Sequence, residues 1–219
     1  MSKGRVIVIG DVHGCHRELE DLLEKISPTA EDSLYMLGDL INRGPDSHAV
    51  LEIARRIRAR CLLGNHEFRL LEYRRTGDDS HLKEEDRRTL KQLTREDWSL
   101  MERMPLHHHL PALDTVLVHG GFLPGIDWKT QPASVVTRIQ VVDRDGRPRR
   151  RSELPHAPHW TELWKGPPWV IYGHTPREEV RERPYSLGID TSCVMGGRLT
   201  ACILPGREIV QVKAREKYF

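Results

Sequence analysis

Short apolar runs recur along the chain, and each is followed by glycine or by a histidine and glycines. Runs of this length with such boundaries predict buried strands. The predicted strands span residues 5–9, 33–37, 60–63, 115–118 and 169–172. Apolar residues spaced i, i+3, i+4 and i+7 predict helices over 16–26 and from Asp46 or Ser47, either of which can cap it, to Ile57. Three β-loop-helix units in a row imply an α/β fold with a parallel core and right-handed crossovers.

Residues 76–104 are charged and lack proline and glycine over most of their length, which predicts helix. Thr94 and Asp97 have the spacing of a capping box, so a helix is expected to begin there. Residues 78–88 are predicted to be a solvated helix or loop without a special role. The whole stretch either packs as an ordinary helix or forms one wall of a substrate cleft.

The last third of the chain shows strand and turn patterns. Residues 135–142, followed by Asp145-Gly146, predict a β-hairpin. Five arginines lie between residues 144 and 151, and a solvated hairpin tip is favoured for them over contact with an anionic substrate or nucleic acid. The tail predicts a meander that closes a second sheet, with strands over 186–189, 198–204 and 208–212.

The composition narrows the class of protein. A length of 219 residues, 38% of them hydrophobic and 30% charged, fits one soluble domain covering residues 1–219. No apolar run approaches the roughly 20 residues that span a bilayer, and no signal peptide is recognised, so no membrane partner is expected. The scattered cysteines favour a cytoplasmic protein. A net charge of +2 argues against a stable nucleic-acid partner.

Polar side chains with nitrogen or oxygen donors follow five of the predicted strands. They are Asp11, His13, Asp39, Asn65, His119 and His174. This donor set suits Mn²⁺, Fe or Zn rather than a thiolate site. Six ligands exceed the needs of one ion with open positions, so two divalent ions that share one carboxylate fit better. The triplet 107–109 is not assigned to this site, because neighbouring residues of an extended segment point to opposite faces.

Five motifs in order resemble the signature of the PPP-type phosphoprotein phosphatases, which belong to the calcineurin-like metallophosphoesterase superfamily. They are Gly-Asp-x-His-Gly, Gly-Asp-x-x-x-Arg-Gly, Gly-Asn-His-Glu, His-Gly-Gly and Gly-His-Thr-Pro, between positions 10 and 176. The resemblance implies a four-layer αββα sandwich, with two mixed sheets flanked by helices. Residues 72–104 and 126–167 would then be variable elaborations that form the cleft.

The resemblance also implies roles for individual residues. Asp11, His13 and His174 would bind one metal, Asn65 and His119 the other, and Asp39 would bridge the two. His66 resembles the general acid of the family and Arg43 its phosphate-binding arginine, while Arg138 matches a second such arginine more loosely. The cofactors expected are two divalent ions, Mn²⁺ first, with Fe, Zn, Ni and Co left open. In such centres a water bridging the ions becomes the hydroxide that attacks phosphorus.

One position departs from the protein phosphatases of the family. Asn42 stands where they usually carry an aspartate that orients and charges the catalytic histidine. An amide orients an imidazole but does not stabilise its cation, which favours a better leaving group than a serine alkoxide. In the resemblance, a neutral residue is typical of symmetrical diadenosine tetraphosphate hydrolases. Against this reading, Glu67 is the residue common in protein phosphatases, and the short chain leaves limited material for a dinucleotide pocket.

Three functions are therefore weighed. The first is a phosphatase that acts on phosphomonoesters, including phosphoproteins and small molecules. The second, favoured by Asn42, is a pyrophosphohydrolase of dinucleoside polyphosphates, cleaving symmetrically, or of capped RNA ends. The third is a metal-binding protein without catalysis or an RNA-binding module, which the complete ligand set argues against. The first is taken as the main interpretation. Four tryptophans that could stack on a base are expected to be core residues instead; they are Trp98, Trp128, Trp160 and Trp164.

Overall fold

The computed structural model describes residues 4–219. Strands and helices alternate through the first half, and strands dominate the tail. The strands are β1 (Val6–Ile9), β2 (Ser33–Met36), β3 (Arg60–Cys61), β4 (His107–Leu110), β5 (Thr115–Val118), β6 (Val141–Val142), β7 (Pro148–Arg149), β8 (Trp169–Tyr172), β9 (Arg181–Arg183), β10 (Ser186–Gly188), β11 (Arg198–Leu204) and β12 (Glu208–Lys213). The α-helices are α1 (His16–Ile26), α2 (Ser47–Arg56), α3 (Asn65–Thr76), α4 (Glu84–Leu90), α5 (Arg95–Met101), α6 (Ala133–Val136) and α7 (Trp160–Leu163). Single 3₁₀ turns lie at Pro111–Leu113, Trp128–Thr130 and Cys193–Met195.

Two five-stranded sheets form the centre of the molecule. The first has the order β12-β11-β1-β2-β3, and the second has the order β4-β5-β8-β10-β9. β1, β2 and β3 are parallel, as the three β-loop-helix units predicted, while β11 is antiparallel to β1. In the second sheet β5, β8 and β10 are parallel, and β4 and β9 are antiparallel edge strands. Both sheets are therefore mixed, and the predicted fold class is confirmed.

Three apolar layers account for the sandwich. Ile7 and Ile9 face α1 and α2 on the outer side of the first sheet. Val8, between them in β1, points to the opposite face and packs in the layer between the two sheets. A third cluster covers the outer face of the second sheet, where Trp160 packs against Tyr172. β1 is buried on both faces, which is why its sequence is a continuous apolar run rather than an alternating one.

The tail strands do not form the predicted meander. β10 pairs with β8 in the second sheet, whereas the β11–β12 hairpin joins the first sheet beside β1. The reason is that β11 has two apolar faces. Ala201 and Ile203 pack beneath the helices, while Cys202 and Leu204 pack between the sheets. A strand with both faces buried belongs inside a sheet, and β11 takes the place next to β1.

The region before the arginine-rich hairpin also differs from the prediction. Ala133–Val136 is a short helix that follows Pro132, and only Val141–Val142 is extended. The hairpin itself is confirmed, with β6 and β7 joined by a turn in which Gly146 has a positive φ of 75°.

Other local predictions can be compared directly with the structure. Asp46 caps α2, because its Oδ1 accepts a hydrogen bond from the Ala49 N–H at 2.9 Å. The capping box of α5 is present, with the Asp97 carboxylate accepting the Thr94 N–H at 2.8 Å. Within residues 4–219 no helix has the length and apolar character needed to cross a membrane.

The histidine triplet lies in an edge strand, and the four tryptophans lie in or against the apolar clusters. Residues 107–109 form most of β4, and the His108 ring bonds the Tyr35 hydroxyl at 3.1 Å. They lie outside the two candidate metal groups of the described chain. The four tryptophans named above pack in or against the apolar clusters, and none of them lines the cleft described below.

Candidate active site

The ends of the parallel strands converge on one region, and several residues there have a strained backbone. Left-handed φ values are found at His13 (48°), Asp39 (50°), Asn42 (71°), Arg43 (67°) and His174 (64°). Side chains other than glycine rarely adopt this conformation, and such residues concentrate at functional sites. Here the sharp turns keep the side chains close to the strand ends that they follow.

Two motif glycines are needed because carboxylates pass directly over them. A Cβ at Gly64 would overlap the Asp39 carboxylate, and one at Gly173 would overlap that of Asp11. The glycines that precede Asn65 and His174 in the sequence motifs therefore make room for the acidic side chains of other loops.

Asp39 lies at the centre of the site and is 2% exposed. Its Oδ2 is 3.5 Å from His13 Nε2 and 3.9 Å from His66 Nε2, and its Oδ1 is 3.4 Å from His119 Nε2. His119 Nε2 is also 3.2 Å from Asn65 Oδ1. One carboxylate thus contacts two groups of donors through its two oxygens, which is the arrangement expected of a bridging ligand.

Backbone carbonyls orient the three predicted histidine ligands. Nδ1 of His13 is 3.0 Å from the Ile41 carbonyl, and Nδ1 of His119 is 3.0 Å from that of Leu37. The His174 ring uses Nε2 instead, 3.2 Å from the Arg138 carbonyl. In His13 and His119 the other ring nitrogen faces Asp39. An outer hydrogen bond of this kind is typical of metal-binding imidazoles.

The structure groups the donors somewhat differently from the resemblance. Donor atoms lie within 4.8 Å of one another in two sets, one with His13, Asp39 and His66 and one with Asp39, His119 and His174. His174 is thus beside His119, with ring centroids 5.0 Å apart. Asp11 accepts the His174 backbone N–H with both oxygens, at 3.1 Å each. The division of ligands between two ions stays a prediction.

The electrostatics of this centre favour bound cations. Burial, together with nearby Asp190, raises the pKa of Asp11 well above its usual value. Burial opposes a charge on His119, yet Asp39 and Asp11 raise its pKa to about 10. Burial lowers the pKa of His13 to about 4, which keeps that imidazole in the neutral form that binds metal. Buried carboxylates, neutral imidazole and an amide oxygen together fit divalent ions of the Mn²⁺, Fe or Zn type.

Glu67 holds the loop that carries Asp39. Its Oε2 accepts the N–H groups of Asp39 at 3.0 Å and Gly64 at 3.2 Å. Its Oε1 accepts those of Leu40 at 2.7 Å and Ile41 at 3.3 Å. The fully buried glutamate therefore positions the central carboxylate, and this role carries no information about the substrate.

The ring of His66 is fixed from behind by an amide. Asn42 Nδ2 lies 2.7 Å from His66 Nδ1 and donates a second hydrogen bond, also at 2.7 Å, to Asp86 Oδ1. Arg69 Nη2 approaches the same His66 Nδ1 at 3.2 Å. Asn42, His66 and Asp86 are each at most 1% exposed. The Nδ1 atom therefore faces two donors, so it acts as an acceptor and the ring proton resides on Nε2.

Asp86 corrects the prediction that residues 78–88 have no special role. It accepts two hydrogen bonds from Arg69, at 2.7 and 2.8 Å, and one from the Lys83 N–H at 2.8 Å. No motif marks it, because its partner Asn42 lies 44 positions away in the chain.

Asp190 is a second residue of the site that the sequence analysis missed. Asp190 lies two residues after the end of β10, just as Asp11 lies two residues after the end of β1, so the same sequence signal could have identified it. Burial raises the pKa of Asp190 to about 6.

Both predicted phosphate-binding arginines border an open cavity. Arg43 Nη1 is 3.0 Å from His13 Nε2, and its guanidinium lies 5.1 Å from the centre of the Phe219 ring. The Arg138 guanidinium is 5.5 Å from the Phe68 ring centre. Burial, followed by the charges of Arg150 and Arg69, lowers the Arg138 pKa.

The cavity, called the catalytic cleft below, has a volume of about 850 Å³. Its lining includes His66 and His174 at the centre, residues from α3 to Lys83 on one side, and Arg138, Gln140 and Arg150 on the other. Parts of both predicted variable regions therefore do border it. The short chain was expected to leave limited material for a dinucleotide pocket. The volume of the cleft nevertheless lies within the range usual for small-molecule sites.

The chain belongs to the calcineurin-like phosphoesterase family, whose model matches residues 4–203. It is thus a metallophosphoesterase, an enzyme that hydrolyses phosphoric esters, as the motifs implied. Members of this family have a dinuclear metal centre.

Similar proteins and a similar crystal structure bear on the class of substrate. The asymmetrical bis(5′-nucleosyl)-tetraphosphatase PrpE of Oceanobacillus iheyensis is 30% identical, over 98% of this chain and 94% of the relative. The protein of the same name from Halalkalibacterium halodurans is 31% identical, over 95% and 94%. A crystal structure of a candidate diadenosine tetraphosphatase superimposes with a TM-score of 0.86 at 30% identity, covering 97% of this chain and 95% of that one. These names favour the second function weighed above over the phosphoprotein phosphatase taken as the main interpretation.

Proposed function

We propose that this protein hydrolyses dinucleoside tetraphosphates and that it does so asymmetrically, into a nucleoside triphosphate and a nucleoside monophosphate. The observation that carries the proposal is the hydrogen bonding of His66. Its Nδ1 faces the amide of Asn42 and the guanidinium of Arg69, where a protein phosphatase of this family is expected to have a carboxylate. The names of the two relatives support the same substrate class and are the basis for the asymmetrical cleavage.

The donors around Nδ1 set the chemistry that His66 can perform. With its proton on Nε2, the neutral ring can donate a hydrogen bond to a departing oxygen. A neutral imidazole gives up its proton far less readily than an imidazolium, and neither neighbour of Nδ1 stabilises the cation. A serine alkoxide needs a proton as it leaves, whereas a nucleotide phosphate is already stable as an anion. The geometry therefore supports cleavage of a phosphoanhydride over an alkyl phosphomonoester.

The remaining assignments follow the donor geometry. Two divalent ions, for which we propose Mn²⁺, would supply the activated nucleophile and neutralise charge on the phosphate oxygens. Asp11, His13, Asp39, Asn65, His119 and His174 are proposed as the ligands that hold them. Arg43 is proposed to bind the phosphate under attack, since a guanidinium matches phosphate oxygens in two parallel hydrogen bonds. Arg138 is proposed to bind the substrate on the opposite side of the cleft.

Product identity tests the asymmetry. With diadenosine tetraphosphate and Mn²⁺, chromatography of the early reaction is expected to show ATP and AMP in equal amounts. Two molecules of ADP would instead establish the symmetrical cleavage that Asn42 alone suggested. A dinucleotide left intact by an enzyme that dephosphorylates a phosphopeptide would contradict the proposal and restore the main interpretation drawn from the sequence.

A further inference from the structure

The arginines of the β6–β7 hairpin divide into distinct environments. Arg149 Nε pairs with Asp143 Oδ2 at 2.9 Å and so stays within the hairpin. Arg151 lines a separate cavity, which is also bordered by His159. Arg150 lines the catalytic cleft. All five arginines are exposed, as expected of a solvated hairpin tip, and Arg150 in addition borders the catalytic cleft.

The position of Arg150 is fixed through its backbone neighbours. The Gln140 N–H donates to the Arg149 carbonyl at 3.3 Å, and Gln140 Oε1 accepts the Arg151 N–H at 2.9 Å. The carbonyl of Arg150 itself accepts the Glu153 N–H at 3.1 Å. Gln140 follows Arg138 by two residues and also lines the cleft. The segments that carry Arg138 and Arg150 are therefore clamped together on the same wall.

The charges of the cleft are unbalanced on this wall. Its two acidic lining residues, Glu72 and Asp78, belong to the side formed by α3 and the residues up to Lys83, where Glu72 pairs with Arg75 at 3.2 Å. Among residues 4–219, no carboxylate lies within 4.0 Å of the Arg138 or Arg150 guanidinium. Two unpaired guanidinium groups beside one cavity repel each other, and a polyanion relieves that repulsion.

We propose that Arg150 binds the phosphates of the substrate that lie beyond the one under attack. It thereby makes the cleft selective for a polyphosphate chain over an isolated phosphate. The nucleosides at the ends of that chain rest on the proposed function, but the preference for a chain of several phosphates does not. Guanidinium groups pair with successive phosphates in charge-assisted hydrogen bonds, which are stronger than neutral ones.

Competitive inhibition of p-nitrophenyl phosphate hydrolysis by the Mn²⁺-loaded enzyme tests this role. The probes are inorganic tripolyphosphate, added with equimolar Mn²⁺, and orthophosphate. Loss of one charged contact in Arg150→Ala is expected to raise the inhibition constant of tripolyphosphate about tenfold, with a change below about twofold for orthophosphate. The matched control is Arg144→Ala, which removes an exposed arginine in the turn of the same hairpin, outside the cleft, and is expected to change neither constant.

Two results would overturn the inference. One is a tripolyphosphate inhibition constant in Arg150→Ala within about twofold of the unmodified enzyme. The other is an equal rise in Arg150→Ala and Arg144→Ala, which would reflect net charge alone. The experiment uses no nucleotide, so its outcome is separate from the identity of the products of diadenosine tetraphosphate.

Discussion

Asp39→Asn is expected to lower kcat/KM at saturating Mn²⁺ by at least about 10³-fold, because both donor groups of the site converge on this carboxylate. The substitution keeps the shape of the side chain but removes its charge. Metal content, measured by mass spectrometry after gel filtration, should fall from two ions per chain to fewer than one. Both readouts are needed, because the second shows that loss of activity comes from loss of metal.

Asp114→Asn is the matched control for this experiment. Asp114 is exposed and has a left-handed φ of 43°, a conformation that asparagine tolerates. It should retain the activity and metal content of the unmodified enzyme. Two bound ions and a kcat/KM within about tenfold in Asp39→Asn would contradict the assignment of Asp39 as the bridging ligand.

The second large effect is expected from moving one negative charge. The double variant Asn42→Asp with Asp86→Asn transfers the carboxylate from Asp86 to the position that contacts His66 Nδ1. A carboxylate there accepts an Nδ1–H and stabilises the imidazolium, which restores an acid for poor leaving groups. The kcat/KM for a phosphoserine peptide should rise about 10²-fold relative to that for p-nitrophenyl phosphate, whose leaving group needs no proton.

The single variants serve as controls. Asn42→Asp alone places a carboxylate beside that of Asp86, where the amide now donates at 2.7 Å, so repulsion should destabilise the protein. Asp86→Asn alone removes the charge paired with Arg69 and leaves His66 facing the same two donors. Asp86→Asn should gain no activity on the peptide, and Asn42→Asp should gain less than the double variant, because a proton shared by two adjacent carboxylates cancels part of the charge beside Nδ1. An unchanged ratio of the two substrates in the folded double variant would mean that the partner of His66 does not set the leaving-group preference.

The residues proposed for the centre of the site could be picked out from the sequence because they are tied to local patterns. Asp11, Asp39 and His119 each lie within three residues of an apolar strand, and parallel strands bring their carboxyl ends to one edge of a sheet. The two β-loop-helix units that precede β3 were equally local. Their strand periods and helix periods could be read within windows of about a dozen residues.

The network behind His66 could not be predicted in the same way. Asp86 comes from α4, which reads as an exposed charged helix, and it reaches the site because the C-terminal end of α4 and the residues just after it dock on the start of α2. Ser47 Oγ lies 3.2 Å from Thr89 Oγ1, and the Ser47 N–H donates to Gln92 Oε1 at 2.9 Å. Contacts of this kind join distant segments and leave no periodic signal in either.

The sheet assignment of the tail failed for a related reason. Periodicity identifies β11 as a strand, but it does not say which sheet a strand joins. In the structure β11 pairs with β1 and β12 along its two edges, and its two apolar faces are covered by the helices and by the second sheet. Glu67 shows the same limit for function. Its presence favoured a protein phosphatase in the sequence, whereas in the structure its carboxylate is used entirely by backbone N–H groups.

The most direct test of the proposed substrate class compares two substrates under one set of conditions. The value of kcat/KM is measured for diadenosine tetraphosphate and for a phosphoserine peptide, with Mn²⁺ at saturation. If an amide behind His66 denies the alkoxide its proton, the dinucleotide should be favoured by about 10²–10⁴-fold, the contribution expected of a general acid. Equal values, or a preference for the peptide, would contradict the proposal that the contact between Asn42 and His66 directs this enzyme to phosphoanhydrides.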